Sequence, residues 1–114
     1  QGGSNIIKLR GRSSFQSPAY NAVKMIEAAM GGEKFTLPAG CYVNHDKLGF
    51  KNVMMAMPTT IDKTGVHFTE PTGTEEELAS LAKSYEHLCK MRDEIVELGI
   101  VPPVAEWTKM NPNL

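Results

Sequence analysis

Apolar residues fall at helical spacing in two stretches of this chain and alternate in a third that lies between them. In the first stretch, Phe15, Ala19, Ala22, Val23, Ile26 and Met30 form one stripe, with Asn21, Lys24, Glu27 and Ala28 largely off it. The spacing predicts an amphipathic helix whose stripe is covered by the rest of the chain. Gly31-Gly32 ends it, because Gly takes the left-handed C-terminal conformation without steric cost. Its start has two readings. Ser17 as N-cap puts Pro18 at the first helical position, where the missing N–H does no harm. Ser13 as N-cap forms a capping box with Gln16 but sets Pro18 inside the helix at the expense of a backbone hydrogen bond. Capping rules favour Ser17.

Between the helices the period changes to two. Residues 35–44 (FTLPAGCYVN) are strand-like on both sides of Pro38-Ala39-Gly40, where a break or bulge is expected. A loop over 45–51 leads to the best strand, 52–61 (NVMMAMPTTI). There Val53, Met55 and Met57 share one face and Met54 and Ala56 the other, which predicts contact on both sides. Pro58 moves this strand toward an edge or a late bulge. Asp62-Lys63-Thr64-Gly65 signals a hairpin turn, with Val66-His67-Phe68 returning. After a linker, Thr74 and Glu77 form a capping box, Glu75 and Glu76 suit the positive helix end, and Leu78, Leu81, Ala82, Tyr85, Leu88, Ile95 and Leu98 make the second stripe. Gly99 caps it, Pro102 follows, and the helix is expected to pack across the sheet. The tail, 101–114, carries the single Trp, Trp107, and is expected to dock on the body. Before all this, 5–9 (NIIKL) read as an edge strand or the end of a helix, broken by Gly11. The fold class that results is α+β: two main helices packed on a small, mostly antiparallel sheet.

Composition narrows the function more than it identifies it. A chain of 114 residues, 41% hydrophobic and 22% charged, suits one small soluble domain with a modest core. A net charge of −1 gives no broad attraction to nucleic acid or anionic membrane. No apolar run is long enough to span a bilayer. The opening Gln1-Gly2-Gly3-Ser4 lacks an initiator Met, and a fragment of a longer chain is expected. Cys41 and Cys89 sit among apolar neighbours and read as buried free thiols, with a disulfide or a reactive thiol as the alternatives.

Candidate chemistry is sparse. His45, His67 and His87 have the right side chain for acid–base work, but none has a carboxylate partner in a recognised local pattern, and each reads as a surface or strand histidine. Cys41-x-x-x-His45 offers two metal ligands where a structural zinc site needs four, so no metal is expected. Lys8, Arg10 and Arg12 precede the first amphipathic helix and are placed to meet a phosphate or carboxylate at its N-terminus; a solvated basic turn is the plainer reading. The run is short and lacks interleaved aromatics, which argues against nucleic-acid binding. Met54, Met55 and Met57 read as core or interface filler, the interface version making the chain a stand-alone interaction module. There is no GxGxxG, P-loop or nucleophile elbow.

GRSSFQSPAYNAVKMIEAAMGGE, then PAGCYVN, then NVMMAMPTTIDKTGVHF, then a Glu-rich capped helix ending in Gly, resemble in order and spacing the C-terminal part of the lactate/malate dehydrogenase family, most closely its bacterial malate branch. The resemblance covers the chain from about residue 5 onward. It implies a two-domain enzyme of the cytoplasm and the tricarboxylic acid cycle, in which an NAD-binding Rossmann domain, absent from this chain, precedes the catalytic domain. Residues 1–114 would be part of that catalytic domain, with malate and oxaloacetate as the dicarboxylate pair and NAD bound mainly elsewhere. No catalytic residue is expected here, since the family's His–Asp pair and its arginines precede this region; the isolated chain is expected to be inactive. Ser13 matches a position beside the substrate. Ser17 matches a usually apolar position near the nicotinamide ring, so a Ser there is a departure. Arg12 is another, in a place where small or aromatic residues are commoner. The family also favours the earlier helix start with a local kink. The last long helix lies at a subunit interface in relatives, which implies a homo-oligomer burying Met91 or Val96.

Overall fold

The computed structural model describes residues 2–114. The element order is α1 (Gly2–Arg10), α2 (Gln16–Ala29), β1 (Ala39–His45), β2 (Phe50–Met57), β3 (Thr59–Asp62), β4 (Gly65–Phe68), α3 (Glu75–Glu97) and α4 (Val104–Met110). The class is α+β, with two two-stranded antiparallel sheets, β1–β2 and β3–β4. Everything up to Leu37 together with Thr60–His67 forms one compact unit, and Pro38–Thr59 with Phe68–Leu114 a second.

In the first unit, residues 5–9 belong to a helix, α1, and not to a strand; Lys8 and Arg10 in its last turn suit the negative end of its dipole. Helix α2 ends as expected. Gly31, at φ +93°, reverses the chain, with Gly31 N–H bonding Ala28 O and Gly32 N–H bonding Glu27 O. Its covered face differs from the expected one. Ala28 is fully buried and Asn21, Lys24 and Met25 are half-buried, whereas Val23 is 61% and Met30 84% exposed. The reversal at Gly31-Gly32 explains this. It brings residues 33–37 alongside Tyr20, Asn21 and Lys24, with which they enclose a pocket of about 230 Å³. Phe35 then bridges to Ile61, and Lys34 pairs with Asp62 at 3.6 Å.

The second unit holds the main core. β1 and β2 pair antiparallel, Cys41 opposite Met55 and Val43 opposite Val53. Val53, Met55 and Met57 alternate into a core with Cys41, Val43 and Phe50, and Leu81, Ala82, Tyr85, Leu88 and Cys89 of α3 pack on it. Tyr85 stacks on Phe50 with ring centroids 4.5 Å apart. The strand is one-sided, because Met54 stays 61% exposed. It also stops early. Pro58 has no N–H for the ladder, so β2 ends at Met57 and Thr59 begins β3. Thr59 is buried but satisfied: its hydroxyl donates to Met57 O at 2.7 Å and lies 2.9 Å from Cys41 Sγ. Cys41 is thus a buried free thiol as expected, while the free thiol of Cys89 is only half-buried.

The expected loop at 45–51 is shorter, since both strands run into it, and it carries a bulge. Val43 faces Val53 but His45 faces Phe50, so Lys51 and Asn52 together oppose one residue. Asn52 adopts φ +55°, a left-handed conformation Asn tolerates, and its side chain accepts from Tyr42 Oη. Helix α3 locks onto this irregularity. Lys51 N–H donates to Tyr85 Oη at 3.1 Å, and Arg92 Nη1 donates to Lys51 O and Asn52 O at 3.2 and 3.1 Å. The ends of α3 follow the capping rules. Thr74 N–H donates to Glu77 Oε2 at 2.8 Å and Glu77 N–H returns to Thr74 Oγ1 at 3.3 Å. At the other end Gly99, φ +69°, bonds Val96 O while Ile100 N–H reaches Ile95 O. Among the described residues no helix is long and apolar enough to cross a membrane.

Candidate functional site

The stretch from the end of α1 into the first turn of α2 carries the site residues expected from sequence, Ser13 and Ser17. Ser13 lies in the linker, exposed, its hydroxyl donating weakly to Ser14 O at 3.4 Å. Ser17 is exposed in the first turn of α2, its carbonyl accepting from Asn21 Nδ2 at 3.1 Å. Neither serine is the N-cap. Phe15 holds that position without a side-chain hydrogen bond, so both proposed starts are superseded. The reason lies in Pro18. As the third helical residue it falls among the first N–H positions that have no partner within a helix, and the first intrahelical bond, Ala19 N–H to Phe15 O at 3.0 Å, comes just after it. Pro18 thus costs nothing, and both hydroxyls stay available.

The electrostatics of this mouth are positive. No acidic residue sits in the first turn of α2, so nothing on the helix offsets the dipole there. The Arg12 guanidinium lies 5.4 Å from the centre of the Phe15 ring, and Arg10 Nη1 is 3.5 Å from Gln16 Oε1. Two arginines are therefore held against residues of the helix start. Such a place can accept a carboxylate and orient it with hydroxyl donors. It holds no group able to take or give a proton near neutral pH.

The histidines are elsewhere. His45 Nδ1 accepts from Leu48 N–H at 3.2 Å, and its ring sits 5.8 Å from that of Phe68. His87 is exposed on α3. His67 does have a carboxylate nearby, contrary to the expectation from local pattern. Thr64 Oγ1 donates to Asp62 Oδ1, and His67 Nε2 lies 2.8 Å from the same hydroxyl and 3.9 Å from Asp62 Oδ1. The Asp-x-Thr-x-x-His spacing across a hairpin turn was the available signal. The Asp62 carboxyl is held below its ordinary range, first by the Thr64 hydroxyl and then by the Thr64 N–H. Because the hydroxyl proton points to Asp62, His67 Nε2 is the donor to Thr64 and cannot draw a proton from it. The cluster braces a turn; it does not activate a nucleophile. Among the described residues, no three His, Cys, Asp or Glu side chains gather closely enough to hold a metal ion.

In the second unit an apolar groove of about 340 Å³ lies along β2 and α3, lined by Val53, Met54, Leu88, Met91, Ile95 and Trp107. Met54, expected to be covered, is part of its wall.

The family model for the lactate/malate dehydrogenase alpha/beta C-terminal domain matches residues 1–98. The malate dehydrogenase of Geobacillus kaustophilus is 35% identical over 88 residues, 75% of this chain and 28% of that enzyme. That of Sorangium cellulosum is 34% identical over 85 residues, 74% of this chain and 27% of its own. That of Anoxybacillus flavithermus is 34% identical over 88 residues, covering 75% and 28%. The chain thus spans just over a quarter of the length of these relatives.

Proposed function

Since the chain belongs to the lactate/malate dehydrogenase family and matches its C-terminal domain, we propose that it serves as part of the catalytic domain of an NAD-dependent malate dehydrogenase. The reaction is the interconversion of malate and oxaloacetate by hydride transfer. The observation that carries this reading is the family match over residues 1–98, joined to malate dehydrogenase relatives. The described residues do not fit the dinucleotide on their own. Two antiparallel hairpins contain no parallel β–α–β crevice, and the sequence has no GxGxxG. In this reading NAD is held by a Rossmann domain outside these residues, and the chain moves neither hydride nor proton.

What the chain contributes is one wall of the substrate pocket. The mouth of α2 draws a dicarboxylate by its dipole and by Arg10 and Arg12, and the Ser13 hydroxyl donates to the substrate. Ser17, one turn on, stands beside the nicotinamide. The exposed stripe of Val23, Ile26 and Met30 packs against another part of the enzyme, and α3 meets a second copy through Met91 and Val96. The setting is the cytoplasm and the tricarboxylic acid cycle.

Two measurements test this. The purified 114-residue chain should form no NADH from malate, because positioning and proton transfer need groups it lacks; turnover by the chain alone overturns the reading. Residues 1–98, the span of the family match, grafted into the Geobacillus kaustophilus enzyme in place of the corresponding part of its C-terminal domain should retain reduction of oxaloacetate over pyruvate. In that graft Ser13→Ala should raise KM for oxaloacetate about tenfold, the loss of roughly one hydrogen bond. An unchanged KM removes Ser13 from the pocket.

A further inference from the structure

The face of α2 that the first unit covers is a polar one. Asn21 and Lys24 are half-buried, while Val23 and Ile26 on the apolar stripe are exposed. Over that polar face lies the pocket of about 230 Å³, walled by Tyr20, Asn21 and Lys24 on one side and residues 33–37 on the other, all within the first unit. None of these residues belongs to the mouth of α2. The reversal that places the second wall is tight: a carbon added at Gly32 would stand 2.8 Å from Glu27 Cγ and 2.9 Å from Glu27 O. The volume equals that of roughly eight water molecules in the liquid. That is the size of a free amino acid and too small for a nucleotide.

The pocket carries charges of both signs, unequally engaged. Lys24 is held by Glu27 at 2.9 Å. Glu33 has no ion-pair or side-chain hydrogen-bond partner among the described residues. The Lys34 side chain is 67% exposed and stands 3.6 Å from Asp62 Oδ2, and Asp62 also accepts at Oδ1 from Thr64 N–H at 2.8 Å. Lys34 can therefore turn to another carboxylate with little loss. The backbone offers a matching pair of groups. Phe35 exchanges both of its own with Ile61, and the N–H and C=O of Lys34 and Thr36 make no backbone hydrogen bond among the described residues. Phe35 and Leu37 add apolar surface. A plain anion would meet the like charge of Glu33. An ammonium, a carboxylate and a short apolar side chain on one carbon suit all of these groups together.

We propose that this pocket binds a free α-amino acid with an apolar side chain, its ammonium on Glu33, its carboxylate on Lys34 and its side chain against Tyr20 and Leu37. L-leucine added to the isotopically labelled 114-residue chain is the probe, followed through amide chemical shifts. The amides of Asn21, Lys34 and Thr36 should shift saturably with a Kd of about 1 mM, in keeping with so small a ligand, while those of 81–88 stay in place. Isocaproate, which lacks the ammonium, and isoamylamine, which lacks the carboxylate, should each bind about tenfold more weakly. Glu33→Gln should bring leucine down to the affinity of isocaproate, and Lys34→Gln should bring it down to that of isoamylamine. Both side chains are exposed, so both variants should keep the circular dichroism spectrum of the unaltered chain; the two analogues test the same contacts without any substitution. No saturable shift at about ten times the expected Kd overturns the proposal. So does an analogue that binds as well as leucine, or leucine binding that Glu33→Gln leaves intact.

Discussion

Replacing Arg92 by Met tests how α3 is fixed to the sheet. The Met side chain retains much of the apolar stem but removes the charge and every donor. The Arg92 side chain is 19% exposed, and its Nη1 serves the carbonyls of both Lys51 and Asn52 at the bulge. A hydrogen bond from a charged donor contributes about 1.5–3 kcal/mol. Here one nitrogen serves two acceptors, so the pair counts as little more than one bond. Both acceptors lie in half-buried residues, so water recovers part of the loss. The net cost is about 2 kcal/mol. With a urea dependence of about 1–3 kcal/mol per molar, the midpoint should fall by roughly 1 M. Urea titration followed by far-ultraviolet circular dichroism measures it. Arg92 also pairs with Asp93 at 2.8 Å, but that carboxylate is 57% exposed, so Asp93→Asn should change stability by no more than about 0.5 kcal/mol. An Arg92→Met variant within that margin of the unaltered chain, or an equally costly Asp93→Asn, would refute this role for Arg92.

Other perturbations follow from the same contacts. Thr74→Ala should cost about 1 kcal/mol by removing the cap of α3, seen as a lower thermal midpoint. The Glu77 carboxyl is held below its ordinary range by the Thr74 N–H and hydroxyl, so its contribution is present above the unfolded pKa and lost as pH falls through the folded one. Glu77→Gln should accordingly flatten the fall in stability below about pH 4, as read from urea midpoints across acid pH. Asp62 is depressed in the same sense by Thr64, and Asp62→Asn should flatten the same acid limb. Gly99→Ala has open space around the added carbon but must hold φ +69°, so it should cost about 1 kcal/mol through backbone conformation alone. A variant as stable as Gly99 would mean that the helix ends some other way.

The place of the candidate residues in the fold could be read from sequence in part, and for different reasons at different residues. The position of Ser13 and Ser17 at a helix mouth follows from the Gly11 break and the stripe after it. The capping roles expected of them are not realised and Phe15 is the N-cap, because the rule that penalises Pro inside a helix lapses in the first turn, where Pro18 sits. The Asp62–Thr64–His67 cluster was missed because its geometry depends on the hairpin closing. The bulge at Asn52 was missed as well: an Asn in a strand pattern gives no local sign that it takes a positive φ. Arg92, whose partners lie 40 and 41 positions away, offered no signal beyond half of an ion pair.

The sequence by itself determined those features whose partners lie within a few residues: the Thr74–Glu77 box, the glycine ends of α2 and α3, the turn at 62–65, the alternation of Val53, Met55 and Met57, and the order of pieces that marks the family. Hydrogen bonds and steric preferences at that range are set before the chain has a fold. Only the tertiary structure decided what is covered. It turned α2 so that Ala28 is buried and Val23 and Met30 are not, left Met54 on a groove wall, and seated Trp107 beside Tyr42. Periodicity names a face but not its neighbour. Burial is a relation between distant segments, and here the reversal at Gly31-Gly32 and the ridge of α3 settled it.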